Sequence, residues 1–281
     1  MKGKNVIITG GNAGIGLATS IGIAKQGANV YIVARSKEKG EEAVKGIKTA
    51  SGNNNVKYFV ANLSSQKSVR QLAADIKKEL SVIDVLINNA GGTFADFGLT
   101  EDGLETTIAT NHFAYFLLTN LLLDLIKKSD YARIVNVASH SHYRGKIDLE
   151  SFTADKNYFI MRAYEQSKLA NVLFTNELAD RLSGTSVTVN SLHPGVVKTQ
   201  IGNKNSNWYS SLFWSLMTKI AGISLEDGAK TSIYLATSPE VKNVTGKYFA
   251  KSKEKKPSLL ALDKELGKKL WKRSEELCSL N

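Results

Sequence analysis

Val6-Ile7-Ile8-Thr9-Gly10-Gly11-Asn12-Ala13-Gly14-Ile15-Gly16 lies at the start of the chain and decides its reading. The β-branched run Asn5–Thr9 predicts a buried strand, and Leu17–Lys25 predicts the helix that follows it. Glycines at such a junction let the backbone approach an anion, which the helix N-terminus attracts. The spacing is Gly-x-x-x-Gly-x-Gly, not the commoner Gly-x-Gly-x-x-Gly of dinucleotide-binding turns. A plain glycine-rich turn also fits it. Its place directly after the first strand favours a dinucleotide, with Gly10, Asn12, Gly14, Ile15 and Gly16 as the binding candidates.

The same alternation continues downstream. Strands are predicted at Asn29–Ala34, 56–61, 84–88, 133–138, 186–192 and near Lys247–Ala250. These runs are rich in Val and Ile and scarcely alternate, as expected of parallel strands covered on both faces. Amphipathic stretches separate them; Ser64 or Ser65 can cap a helix carrying Val69, Leu72, Ala73, Ile76 and Leu80. Gly27 is placed to end the first helix. The apolar run 113–126 reads as a buried helix. The expectation is one α/β domain over residues 1–281: a doubly wound (Rossmann) fold with a mostly parallel seven-stranded sheet and helices on both faces. Residues 200–225, with Trp208, Tyr209, Phe213, Trp214 and Met217, read as an apolar insertion. It suits packing, a lid over an apolar substrate or a membrane contact. Residues 258–278 read as a C-terminal amphipathic helix.

Composition narrows the class. The chain has 281 residues, 42% hydrophobic and 22% charged, as in soluble globular proteins. Its single cysteine, Cys278, provides neither a disulfide framework nor a thiolate metal cluster. No export signal or spanning segment is visible, and a cytoplasmic location fits. The net charge of +11 is spread along the chain without aromatic interleaving or zinc-finger spacing. This disfavours nucleic acid and leaves room for peripheral contact with an anionic membrane and for a homo-oligomer.

Two further features carry chemistry. About 20 residues past the glycine loop, where an acidic residue would bind a ribose 2′-hydroxyl, the chain has Ala34-Arg35. A guanidinium there can bind a 2′-phosphate, which favours NADP(H) over NAD(H). Tyr164 and Lys168 stand four residues apart, so a helix stacks them on one face, about 6 Å apart along its axis. An ammonium beside a phenol favours the ionised form and makes a proton-transfer pair. The same spacing also suits a half-buried aromatic beside a solvated lysine.

With these pieces in hand, the sequence resembles the short-chain dehydrogenase/reductase superfamily over nearly its whole length. The resemblance is carried by the glycine loop, Asn88-Asn89-Ala90-Gly91, Asn111-His112-Phe113, Ser139 at the end of a strand, Tyr164 with Lys168, and the segment 194–199. Within that superfamily the chain looks like retinol-dehydrogenase-like members, through Tyr164-Glu165-Gln166-Ser167-Lys168-Leu169-Ala170-Asn171 and His193-Pro194-Gly195-Val196-Val197. The resemblance implies catalytic roles for Asn111, Ser139, Tyr164 and Lys168. It implies cofactor contacts from Asn62, Leu63, Asn89, Ala90, Gly91, Tyr164, Lys168, Pro194, Gly195, Val197 and Thr199, beside those of the loop and Arg35. It implies hydride transfer between NADP(H) and a hydrophobic aldehyde or ketone and its alcohol, with Tyr164 as general acid and base and Asn111 supporting a water relay. Two departures stand out: no N-terminal membrane anchor is visible, and Asn62 replaces the usual aspartate at the adenine. No metal is expected. His140 and His142 lack a third ligand nearby and read as solvent-facing or substrate-lining. A non-catalytic dinucleotide sensor or scaffold of the same fold is the alternative.

Overall fold

The computed structural model describes residues 1–154, 158–195 and 223–280. In chain order the elements are β1 (Asn5–Thr9), α1 (Gly14–Ala24), β2 (Asn29–Ala34), α2 (Lys37–Ser51), β3 (Val56–Val60), α3 (Gln66–Glu79) and β4 (Val85–Asn88). A helix in three stretches follows: an α-turn at Thr106–Ile108, a π-turn at Ala109–Phe113, and α4 (Ala114–Ile126). Then come β5 (Arg133–Val137), α5 (Ile160–Arg181), β6 (Thr188–His193), α6 (Leu225–Thr237), β7 (Lys247–Ala250), β8 (Lys253–Lys255) and α7 (Lys264–Cys278).

The strands join in the order β3-β2-β1-β4-β5-β6-β7-β8, parallel except for β8, which runs antiparallel to β7. The doubly wound expectation is borne out, with one strand more than the seven read from the sequence. Lys253, Glu254 and Lys255 of β8 are all exposed, so no apolar pattern betrays the strand; the backbone turn at Lys251 and Ser252, both at positive φ, folds it onto β7.

Alternate residues of the strands enter two cores. Ile7, Tyr31, Val33 and Leu86 face α3, α4, α5 and α7, while Val6, Ile8, Val30, Ile32 and Ile87 face α1, α2 and α6. Val69, Leu72, Ala73 and Ile76 of α3 are buried as their spacing predicts, and Ser65 is the cap, accepting from the Ser68 amide. Gly27 ends α1 at φ +80°. The C-terminal segment is not one helix: Asp263 caps α7 by accepting from the Leu266 amide at 3.0 Å, and Leu260–Leu262 form a separate 3-10 turn. Among the described residues no helix is long and apolar enough to cross a membrane.

Candidate active site

The reversal of strand order between β1 and β4 opens a crevice at the carboxyl end of the sheet, the usual ligand position in open α/β folds. Six strand ends converge there, carrying Gly10, Arg35, Asn62, Asn89, Ser139 and Pro194.

The glycine loop is built by close approach. Gly10 (φ +64°) and Gly14 (φ +54°) adopt left-handed backbone, and the Gly10 amide donates to Val33 at 2.9 Å. Thr9 Oγ1 accepts from the amides of Asn89 (2.9 Å) and Ala90 (3.0 Å), and Asn89 Nδ2 donates to the Thr9 carbonyl at 2.8 Å. These bonds lock the ends of β1 and β4 side by side. Ser36 caps α2 and Ser65 caps α3, but α1 begins after Ala13 with no side-chain cap and no acidic residue in its first turn. The free amides at that helix end suit a dinucleotide pyrophosphate. Arg35 follows β2 with its guanidinium exposed, and no hydrogen bond or ion pair among the described residues engages it.

The structure departs from expectation at the adenine end. Asn62 Oδ1 already accepts from the Ser64 amide (3.2 Å) and hydroxyl (2.8 Å), so an adenine amino group would have to displace one of them. Leu63 packs beside it against the core. Pro194 and Gly195 follow β6, and Gly195 at φ +95° donates its amide to His193 Nδ1 at 3.0 Å. Val197, Thr199 and the aromatic segment up to residue 222 lie outside the described residues.

Ser139, Tyr164, Lys168 and Asn111 come together from β5, α5 and the π-turn. The Ser139 side chain lies beside the Tyr164 phenol and favours its ionised form, and Lys168 Nζ lies 5.5 Å from the centre of its ring. Lys168 is only 4% exposed and donates to the Val137 carbonyl at 3.2 Å. Burial pulls its pKa down to about 8. Burial also raises the Tyr164 pKa above its ordinary value, opposed by the Ser139 side chain. The direction is opposite to the lowering that pairing with Lys168 predicts: desolvation wins and the phenol keeps its proton at neutral pH.

The Asn111 side chain is saturated. It donates to the Gly92 carbonyl (2.9 Å) and Ser167 Oγ (2.9 Å) and accepts from the Gly92 amide (2.8 Å). A Cβ at Gly91 would stand 2.9 Å from Asn111 Oδ1 and 3.4 Å from Lys168 Nζ, so the loop after β4 closes directly over the pair. His142 corrects the sequence reading. It is fully buried, its Nδ1 lies 2.7 Å from the Ser139 carbonyl, and its Nε2 accepts from the Ser258 amide at 3.2 Å. Those partners fix the proton on Nδ1 and make the ring a brace for the serine, while His140 is exposed as expected.

Thr9, Ser167 and Asn171 were not singled out by the sequence. Asn171 Nδ2 donates to the Asn111 carbonyl at 2.9 Å. Its spacing from Tyr164 and Lys168, seven and three residues along one helix, was the signal available for it.

The short chain dehydrogenase family model matches residues 4–210. This chain belongs to the short-chain dehydrogenase/reductase family, whose members are oxidoreductases using nicotinamide dinucleotides. It is retinol-dehydrogenase-like: retinol dehydrogenase 13 of Homo sapiens is 42% identical, with all of this chain and 86% of that protein covered. Retinol dehydrogenase 14 of Mus musculus is 39% identical, with 100% and 87% covered. Among solved structures, an uncharacterized protein from Mycobacterium Paratuberculosis superposes with a TM-score of 0.78 at 31% identity, over 99% of this chain and 94% of its own.

Proposed function

We propose that the protein interconverts a hydrophobic aldehyde or ketone and its alcohol with NADP(H), with Tyr164 as the proton donor. The observation that carries this reading is the meeting of Ser139 and Tyr164 beside the buried Lys168. When bound, the nicotinamide supplies or accepts the hydride. Ser139 and Tyr164 both present hydroxyls where a carbonyl oxygen gathers negative charge. Tyr164, protonated at neutral pH, gives its proton in reduction and takes one back in oxidation. Lys168 stabilises the resulting phenolate and is within reach of a cofactor ribose. Asn111 holds the Gly92 loop in register and supports the relay that returns the proton.

An apolar substrate is supported by the aromatic rim. Phe97 and Phe159 are 39% and 59% exposed; the first follows the Gly92 loop and the second caps α5, five residues before Tyr164. Tyr158, next to Phe159 in the chain, packs edge-on against Phe97 at 5.8 Å and donates to the Phe94 carbonyl at 2.7 Å. The expected result of an NADPH-oxidation screen is turnover of aliphatic aldehydes, retinal or other apolar carbonyls, and little with sugars. NADPH binding without turnover of any carbonyl would favour a sensor instead. Arg35→Ala is expected to weaken NADPH roughly tenfold or more, in line with a lost charged contact of about 1.5–3 kcal/mol, and to leave NADH nearly unchanged. Equal weakening of both removes the 2′-phosphate role.

The membrane contact suggested by charge has its best support near β8. Leu259, Leu260 and Leu262 are 78%, 42% and 48% exposed. They stand within residues 251–272, which hold eight lysines against three acids. Exposed leucines rimmed by lysines suit an anionic lipid surface. The Tyr143 hydroxyl donates to the Lys256 carbonyl at 2.5 Å, tying the segment to the loop after Ser139. Phosphatidylserine vesicles should therefore co-sediment the protein, and the double change Leu259→Ser, Leu260→Ser should abolish this without altering turnover of a soluble substrate. Unchanged binding by that variant refutes the placement.

A further inference from the structure

We infer that Asn171 is a positioning residue for the Asn111 turn, and that Ser274 of the C-terminal helix α7 holds the same turn through His112. Four residues from three elements make the contacts: Ser274 of α7, His112 and Asn111 of the π-turn, and Asn171 of α5. All four are fully buried.

Asn171 Nδ2 donates to the Asn111 carbonyl at 2.9 Å. His112 Nε2 lies 3.0 Å from Ser274 Oγ, and the Ser274 hydroxyl donates to the Leu270 carbonyl at 2.8 Å, so its oxygen accepts from the ring. Two contacts from different helices therefore hold neighbouring residues of the turn. The Asn171 side chain also lies beside the ring, where His112 Nδ1 and Asn171 Oδ1 are both buried without a hydrogen-bond partner.

These contacts act on the site through geometry. The π-turn aims the Asn111 amide at Gly92 and Ser167, and Ser167 Oγ in turn donates to the Tyr164 carbonyl at 2.8 Å. A π-turn is a strained and rare conformation that needs outside contacts to persist. Asn171 supplies one such contact directly at the Asn111 carbonyl. Around the ring, Phe116, Phe174 and Trp271 exclude water, with Trp271 4.9 Å from Phe116.

This inference rests on the reading of Asn111 as part of a carbonyl-reducing site. The test compares Asn171→Leu, Ser274→Ala and Ser274→Thr with a control, Trp271→Phe, which loosens α7 without touching either hydrogen bond. The expected result for Asn171→Leu is a kcat lowered about 10- to 100-fold, with the Kd for NADPH and the substrate KM within about twofold. Ser274→Ala should lower kcat a few-fold. Ser274→Thr keeps the hydroxyl, and the small void beside it can take the extra methyl, so kcat should return. Amide exchange at Gly92 should accelerate in Asn171→Leu, a readout that needs no turnover. An unchanged kcat with unchanged Gly92 protection in Asn171→Leu overturns the inference. So does a fall in kcat for Trp271→Phe that matches Ser274→Ala at equal loss of Tm. A wild-type protein without turnover, beside normal Gly92 protection, counts against the catalytic reading instead.

Discussion

Tyr164→Phe is expected to lower turnover about 10²- to 10⁴-fold, the range a positioned proton donor contributes, while the Kd for NADPH stays within a few-fold. The change removes one oxygen and keeps the ring against which Lys168 packs. The loss should therefore fall on kcat and not on the fold. Wild-type pH dependence provides a second check. Tyr164 lies above its ordinary value and Lys168 is drawn down to about 8. Below pH 8 the lysine is charged and the phenol protonated, the pair a reduction needs, and the reductive rate should hold. Above pH 8 the lysine loses its charge and the rate should fall. Near-normal turnover by Tyr164→Phe would end the assignment of the proton donor.

Gly16→Ala is the second change expected to act strongly. A Cβ at this position would stand 2.2 Å from the Gly10 carbonyl oxygen and 2.5 Å from Asn89 Nδ2. Neither can retreat freely. Gly10 is tied to β2 through its amide, and Asn89 is tied to Thr9. Opening the loop should cost about 1–3 kcal/mol of stability. It should also weaken NADPH binding on the order of a hundredfold, which corresponds to about 2.7 kcal/mol. Gly46→Ala is the contrasting case. It lies exposed in the middle of α2 with nothing within 4 Å of the added carbon, and should stabilise by about 0.5–1 kcal/mol. Calorimetry and cofactor titration of the two variants separate a tight loop from a glycine that is merely tolerated. Full NADPH affinity in Gly16→Ala would refute the close-packed cradle.

The parallel strands and their order of use were legible because each apolar run is short, β-branched and followed by an amphipathic helix. The catalytic set was legible because Ser139, Tyr164 and Lys168 sit at fixed places relative to strand and helix ends, and because their motifs resemble a family. What escaped reading depends on contacts between distant residues. β8 is three charged residues whose pairing to β7 is set by the backbone turn before it. Asn62 is the local exception: its side chain closes an Asx turn onto Ser64, two residues on. His142 and His112 read as loop and helix histidines, yet both are buried, one bracing Ser139 and one meeting α7. The direction of the Tyr164 pKa is a further case: its pairing with Lys168 reads from the sequence, and its burial in the fold does not.

The π-turn has a consequence for how this chain tolerates change in length. A π-turn closes on the fifth residue where an α-turn closes on the fourth, as the Ala114 amide does on the Ala109 carbonyl. One residue is thus accommodated without shifting what lies on either side. Upstream, Glu105 stays aligned with the amides of Thr107 and Ile108; downstream, Phe116, Leu118 and Leu122 keep their phase toward the core. Deleting one residue of 109–113 would remove that extra residue and let the stretch close as a regular helix with both halves still in phase. The chain would keep its core and lose the widened turn that aims Asn111 at Gly92. A single-residue gap here should therefore spare the fold and act on the site.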